Sequence, residues 1–344
     1  MEYIKDVQAV CSQALPWEKL ENKTLMITGA SGLIGRCLID TLMMANKLKG
    51  LNVRVVAVAR NEERLKDFFG DFVNNGMIHI LAHDVTMPMD SVNIPEKVDY
   101  ILHLASNTHP VAYATDPIGT ITTNVIGLNN LLQLADKKHS ERFLFASSVE
   151  IYGENRGDTE LFTEDYCGYI DSNTLRAGYP ESKRVGEALC QAYAKQRNMD
   201  VVIPRLSRVY GPTMKVDDTT ALSQFIKKAI NKEDIVLKSA GTQYYSYTYV
   251  TDAVSALLYC LLCGKSGEAY NISDKESDIH LRDLAAILAE IAGTKVVFDI
   301  PDATEQAGYS KATTAVMDST KIRKLGWKAM VPIREGLRKT VVDN

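Results

Sequence analysis

No disulfide framework can be read in this chain. Its six cysteines, Cys11, Cys37, Cys167, Cys190, Cys260 and Cys263, are scattered along 344 residues without a pairing pattern. The N-terminus does not read as a secretory signal, so a reducing, cytoplasmic setting is expected. The Cys-x-x-C at Cys260 and Cys263 has no second ligand pair nearby and lies in an apolar stretch, Ala256 to Cys263, patterned as a buried helix. Core packing is expected there, with no metal. An excess of one charge is lacking too. The 39 basic and 43 acidic residues leave a formal net charge of -4, which offers no global attraction for nucleic acid or an anionic membrane. Any polyanionic ligand must be held by local groups. Repeats, low-complexity tracts and flexible linkers are also missing. What is present, 46% hydrophobic and 24% charged residues, suits a soluble globular protein of one large domain or two unequal ones.

Residues 1 to 22 read as a short amphipathic helical extension ending near Pro16-Trp17, a lid or brace without chemistry of its own. From Thr24 onward, short apolar runs alternate with longer helical patterns, the signature of a parallel sheet covered on both faces. The strands expected are Thr24 to Thr28, Val53 to Ala59, Met77 to Leu81, Tyr100 to Leu104, Arg142 to Ser147 and Val201 to Arg205. Helices are expected at about Leu33 to Lys47, Glu62 to Asn74, Pro117 to His139 and Tyr179 to Arg197. After Gly211-Pro212 the pattern loosens, with helices near Ala221 to Asn231, Asp252 to Cys263 and Leu281 to Ala292 among short strands.

Thr28-Gly29-Ala30-Ser31-Gly32-Leu33-Ile34-Gly35 follows an apolar strand and opens a helix. Glycines in that context allow a tight turn, close approach of backbone to a pyrophosphate and close helix packing, with the helix N-terminus facing the phosphates. The fold class expected is therefore α/β: a Rossmann-type doubly wound parallel sheet over residues 23–212, with a smaller α/β substrate domain over 213–344 and crossovers between the two. Gly29, Ser31, Gly32, Leu33, Ile34 and Gly35 would form the cradle, and Asp84 and Val85 would sit by the adenine. At the end of the second strand, NAD sites usually carry an acid and NADP sites an arginine. The chain has Val58-Ala59-Arg60-Asn61. Arg60 reads as a ligand of a 2'-phosphate, or else as a solvated residue at a helix start; NAD(P) is expected, with NADP favoured.

Tyr179 and Lys183 lie four residues apart on one face of a helical pattern. An ammonium placed there can stand beside the phenol and favour its ionised form. A free tyrosine, with a pKa near ~10, is protonated at neutral pH, and this neighbour would make it a usable base. Ser148 ends the fifth strand and Tyr179 opens the next long helix, so both should reach the C-terminal edge of the sheet, where ligands of such folds bind.

Together, Thr28-Gly29-x-x-Gly32-x-x-Gly35, Leu102-His103-Leu104-Ala105, Asn124-Val125-x-Gly127, Ser147-Ser148-x-Glu150-Ile151-Tyr152-Gly153, Tyr179-x-x-x-Lys183 and Val209-Tyr210-Gly211-Pro212 resemble the extended short-chain dehydrogenase/reductase family. The resemblance is to its NAD-dependent nucleotide-sugar epimerase/dehydratase branch, in order over nearly the whole chain from Thr24. It implies that Tyr179 takes the proton of a sugar hydroxyl while the nicotinamide receives hydride from the same carbon. Lys183 would hold the nicotinamide ribose and depress the tyrosine pKa, and Ser148 would hydrogen-bond the reacting oxygen. Leu104, Ala105, Ser106 and Asn124 would complete the cofactor site. A homodimer through Pro117 to His139 and Tyr179 to Arg197 is implied as well.

Within the branch, the segments around Ser148 and Tyr179 are most similar to UDP-glucuronate decarboxylases and sugar 4,6-dehydratases. Glu150 could move a proton at the carbon next to a transient ketone. The aspartic acid that dehydratases place after the serine or threonine is Val149 here, which disfavours loss of water unless Glu150 serves both roles. The arginine expected before the Tyr-Val-x-Asp segment is Tyr245, and Arg208 stands where an asparagine is common. Arg208 could supply the missing charge to a diphosphate, or pair with a nearby carboxylate. Tyr245, Tyr247 and Tyr249 share one face of a strand, to stack on a ligand or to pack a domain interface. Thr108 and His109 are placed at the pocket mouth beside Asn124, with His109 read equally as a loop histidine without a role. The chain is thus read as a nucleotide-sugar enzyme acting through a transient keto-sugar, oxidised at C4, by epimerisation or decarboxylation. The alternatives are an NADPH-dependent reductase of a keto-sugar, a 4,6-dehydratase with an atypical acid, and a silent nucleotide-binding protein.

Overall fold

The computed structural model describes residues 2–108, 113, 115–215, 218–299 and 313–343. Its main sheet is built from β1 Thr24–Thr28, β2 Arg54–Ala59, β3 Ile78–Ala82, β4 Tyr100–His103, β5 Arg142–Phe145, β6 Ser147–Ser148 and β7 Val201–Leu206. A smaller part contains β8 Arg208–Tyr210, β9 Ile235–Leu237 and β10 Tyr244–Tyr249. It is completed by β12 Asp278–His280, β13 Val296–Phe298 and β14 Thr314–Ala315, while β11 Ala269–Ile272 returns to the main sheet.

In the main sheet the order is β3-β2-β1-β4-β5-β7-β11, all parallel, with β6 continuing the pairing to β7 after β5 ends. These strands read as continuous apolar runs because both faces are covered, as parallel crossovers require. On one face lie helices Leu33–Lys49 and Val250–Cys263, and on the other Leu128–Lys138 and Gly178–Arg197. Val250–Cys263 is apolar on all sides and buried almost throughout, as such a helix must be. Cys260 belongs to this core, and burial raises its thiol pKa above the ordinary range.

Two features depart from the strand and helix pattern. The expected strand Arg142 to Ser147 is broken at Ala146, so that Ser147 and Ser148 pair with Arg205 and Leu206. The expected helix Pro117 to His139 is widened into a π turn at Thr123–Gly127. Seen from sequence, β11 lies beyond the loosened region, yet it forms the edge of the main sheet beside β7.

The second core surrounds β10, which pairs antiparallel with β12 and parallel with β8 and β14. Helices Ala221–Ile230, Leu281–Ala292 and Ile333–Val342 contribute its apolar faces. Tyr245, Tyr247 and Tyr249 are all buried in it. The N-terminal helix Glu2–Cys11 packs on Leu33–Lys49 and Val250–Cys263 as a brace. Tyr3 donates to Asp40 at 2.7 Å, while buried Asp6 accepts from Lys339 at 2.6 Å and from the Tyr249 hydroxyl at 3.2 Å. Among the described residues, no helix is long and apolar enough to cross a membrane.

Candidate active site

The C-terminal ends of the parallel strands open into a cleft of about 1930 Å³ between the main sheet and the second core. Its floor at one end is the glycine turn. Gly29 has φ +72°, and a Cβ there would come within 2.9 Å of the backbone of Leu104 and Ala105. Added bulk at Gly35 would strike the Gly29 carbonyl. The turn therefore brings β1, β4 and the start of helix Leu33–Lys49 into close contact, leaving backbone exposed to a ligand. Gly29, Ser31, Gly32, Leu33, Ile34 and Gly35 all line the cleft, as do Val85, Leu104, Ala105 and Ser106. Such a cradle at a helix N-terminus fits a dinucleotide pyrophosphate.

Arg60 reaches the cleft from the end of β2, exposed to solvent, with Asp84 across from it. Burial would raise the Asp84 pKa, but hydrogen bonds from the Thr86 amide and hydroxyl, with Arg60 and His83 nearby, outweigh it and hold the carboxyl below its ordinary value. Asn61 is occupied in capping the next helix, accepting from the Arg64 amide at 2.9 Å.

Ser148, Tyr179 and Lys183 come together midway along the cleft. Ser148 faces the Tyr179 phenol, whose ionised form it favours, and accepts the Glu150 amide at 3.2 Å, so the serine is fixed by the turn it caps. Lys183 is buried, donating to the Ala146 carbonyl at 2.8 Å and lying 4.7 Å from the Phe145 ring centroid. Burial lowers its pKa to about 7, against the opposing influence of Glu187 and Cys190. The expected depression of the Tyr179 pKa is not found: burial pushes it up to about 12, despite the opposing influence of Ser148 and the Arg176 charge. Desolvation of the phenolate outweighs these neighbours.

Glu150 accepts from Arg176 at 2.7 Å and lies 3.9 Å from the Arg208 guanidinium. The Arg208 carbon is 3.6 Å from the Tyr245 ring centroid, and its Nη1 is buried without a hydrogen-bond partner. Tyr113 stacks on Tyr179 at 4.9 Å between centroids, with Arg176 4.9 Å from the Tyr113 ring. Val149, by contrast, turns into the second core.

Asn124 does not line the pocket mouth as expected. Its side chain is buried beneath the cleft, accepting from Ser106 at 2.8 Å and donating to Ser182 at 2.9 Å, and Ser182 in turn donates to the Tyr179 carbonyl. The asparagine thus braces helix Gly178–Arg197 against the loop after β4. Thr108 lines the rim, and His109 lies outside the described residues. The sequence reading missed Tyr113 and did not assign Arg176 to the site. Arg176 carried a signal, lying three residues before Tyr179 at the entry to the same helix; Tyr113, in a stretch of sequence without a clear period, carried none.

The model for the NAD dependent epimerase/dehydratase family matches residues 25–273. UDP-glucuronic acid decarboxylase 1 of Danio rerio is 31% identical, covering 99% of this chain and 78% of that protein. UDP-glucuronic acid decarboxylase 3 of Arabidopsis thaliana is 34% identical, covering 92% of this chain and 87% of its own length. Among solved structures, a UDP-glucuronic acid 4-epimerase from Bacillus cereus, in complex with UDP-glucuronic acid and NAD, superposes with a TM-score of 0.77 at 21% identity, covering 93% of this chain and 98% of that one. A dTDP-glucose 4,6-dehydratase from Streptomyces venezuelae with NAD bound gives 0.76 at 22% identity, covering 93% and 96%.

Proposed function

The chain belongs to the NAD dependent epimerase/dehydratase family, and we propose that it acts on a UDP-linked uronic acid through a transient C4 ketone, with decarboxylation or C4 epimerisation as the outcome. The observation that carries this reading is the meeting of Ser148, at the end of β6, with Tyr179 and, one turn along the same helix, Lys183, in one cleft at the sheet edge beside a dinucleotide cradle.

When bound, NAD(P) supplies a hydride acceptor for the sugar carbon. The glycine turn would hold its pyrophosphate, and Lys183 would hold its nicotinamide ribose. Tyr179 accepts the proton of the C4 hydroxyl in its phenolate form, which burial makes the minor one in the free protein, and Ser148 holds the reacting oxygen in line. Glu150, tied to Arg176, moves a proton at the carbon next to the ketone. Loss of water is disfavoured, because Val149 occupies the position of the usual acid and is buried in apolar surroundings. Arg208, with a buried N–H to spare, takes an anionic group of the substrate, its diphosphate first. NADP is favoured over NAD by Arg60 and the absence of an acid at the end of β2. A second reading, net reduction of a keto-sugar by exchangeable NADPH, rests on the same arginine.

The working form is a homodimer in the cytoplasm. Ile118, Ile121 and Ile126, with Val185 on helix Gly178–Arg197, expose apolar side chains on the two helices expected at the interface. The test of the reaction is incubation with UDP-glucuronate and product analysis by NMR and mass spectrometry. A UDP-pentose with carbon dioxide establishes decarboxylation, and a C4 epimer of unchanged mass establishes epimerisation. Stoichiometric consumption of NADPH with a keto-sugar, and neither product, would transfer the assignment to the reductase reading.

A further inference from the structure

Beside the redox centre, two guanidiniums share one carboxylate. Arg176 donates through Nη2 to one oxygen of Glu150 at 2.7 Å, and Arg208 Nη2 lies 3.9 Å from the other oxygen. All three side chains line the cleft, and the trio carries a surplus of one positive charge. Among the described residues, the one hydrogen bond of the Arg176 guanidinium is that to Glu150, although the group has five N–H donors. Its side chain is 43% exposed, against 27% for Arg208, so a ligand in the cleft can reach it at little desolvation cost. Its carbon lies 4.9 Å from the centroid of the Tyr113 ring, which stacks on Tyr179 at 4.9 Å. The cation is thus held one aromatic layer away from the phenol, at the entry to helix Gly178–Arg197.

We propose that Arg176 is the specificity-determining residue that selects a uronic acid: its remaining donors take the sugar carboxylate, and the surplus charge of the Arg176, Glu150 and Arg208 trio balances it. The inference rests on the reading of the substrate as a UDP-linked uronic acid oxidised at C4. In such a sugar the carboxylate is attached to C5, two bonds from the reacting carbon. When the C4 hydroxyl meets the Tyr179 oxygen, the carboxylate therefore falls among the groups around that tyrosine. Glu150 by itself would repel it, and a single arginine would already be neutralised by Glu150. With two arginines, one positive charge is left for the ligand. The diphosphate does not exhaust that charge, because Lys215 and Lys238 also line the cleft, on the side of the second core. A guanidinium fork matches both oxygens of a carboxylate, whereas the hydroxymethyl of a neutral hexose gains little from it.

The test is isothermal titration of the full-length Tyr179→Phe protein, loaded with NAD(P) so that binding is read without turnover, using UDP-glucuronate, UDP-glucose and UDP. UDP-glucuronate should bind more tightly than UDP-glucose. Adding Arg176→Gln should weaken UDP-glucuronate by roughly tenfold to a hundredfold, with UDP-glucose and UDP unchanged. Arg176→Lys should keep part of the preference, since it retains the charge and loses the fork. Glu150→Gln should keep or widen the preference, because it removes a like charge. A uronate preference that survives Arg176→Gln, or equal weakening of both sugars, would overturn the proposal. So would a Glu150→Gln protein that loses the preference to the same extent, since Arg176 would then act only by holding Glu150. Should Arg176→Gln not fold, Arg176→Lys decides, and an undiminished preference there overturns it. A parent protein without any uronate preference would remove the uronate reading and this inference together, whereas a preference lost only with Arg176 stands even if neither decarboxylation nor epimerisation is found.

Discussion

Arg208 stands over the ring of Tyr245, its guanidinium carbon 3.6 Å from the ring centroid. The two residues sit on neighbouring parallel strands, β8 and β10, where Arg208 is the register partner of Tyr247. A guanidinium thus stands over the tyrosine that occupies the position where an arginine was expected, reaching it from the adjacent strand. The ring covers the cation, and its Nη2 lies 3.9 Å from Glu150.

If that cation holds the substrate, Arg208→Ala should weaken binding of UDP-glucuronate by roughly tenfold to a hundredfold, the value of a charge-assisted hydrogen bond, and leave NAD(P) affinity unchanged. Isothermal titration with each ligand separates the two. Loss of cofactor affinity with substrate binding intact would reverse the assignment.

Tyr179→Phe keeps the ring stacked on Tyr113 and removes the proton acceptor. Turnover should fall by about 10²- to 10⁴-fold, with the affinities for cofactor and substrate changed little. Wild-type turnover in this variant would refute the base assignment.

Cofactor preference can be read by competitive titration of the apo-protein. NADP should bind more tightly than NAD, and Arg60→Ala should erase the difference by weakening NADP alone. Tighter binding of NAD by the wild-type protein defeats the NADP assignment.

Ile118 is 76% exposed on the first turn of its helix, and Val185 is 48% exposed on the neighbouring one. Ile118→Glu with Val185→Glu should convert a dimer to a monomer in light scattering after gel filtration, without lowering the melting temperature of the monomer's own fold. A wild-type protein that is monomeric at micromolar concentration removes the interface from consideration.

Asp252 is buried at the start of helix Val250–Cys263, accepting the amides of Met330 at 2.9 Å and Val331 at 3.0 Å. Burial pushes its carboxyl up to about 7, with Asp274 and Asp6 adding to the rise and the two amides opposing it. An acid with a folded pKa above its unfolded value binds its proton more tightly when folded, so its contribution to stability is full below the unfolded pKa of ~4 and is lost as pH rises toward the folded value. Urea midpoints should therefore decline between about pH 4 and 7, and Asp252→Asn should flatten part of that decline. Asp278, raised to about 6 by burial, acts in the same direction. An identical slope in the variant would exclude Asp252 as a source.

The sequence by itself determined the architecture around the cofactor. Alternating apolar runs and helical patterns located the six central strands, and the glycine turn located the cradle, because strand burial on two faces and a phosphate-facing helix start both leave local signatures. It also brought Ser148, Tyr179 and Lys183 to one edge, since strand end and helix start are fixed by chain order. Tertiary structure alone decided what surrounds them. The edge strand β11 is set by pairing with β7 across sixty-odd residues of sequence, and the stack of Tyr113 on Tyr179 joins segments that share no period. The inward turn of Asn124 depends on a π turn that its helical pattern did not announce. The tyrosine pKa was misjudged for the same reason. Spacing along a helix shows which charge is near, whereas the cost of desolvating a phenolate depends on everything packed around it.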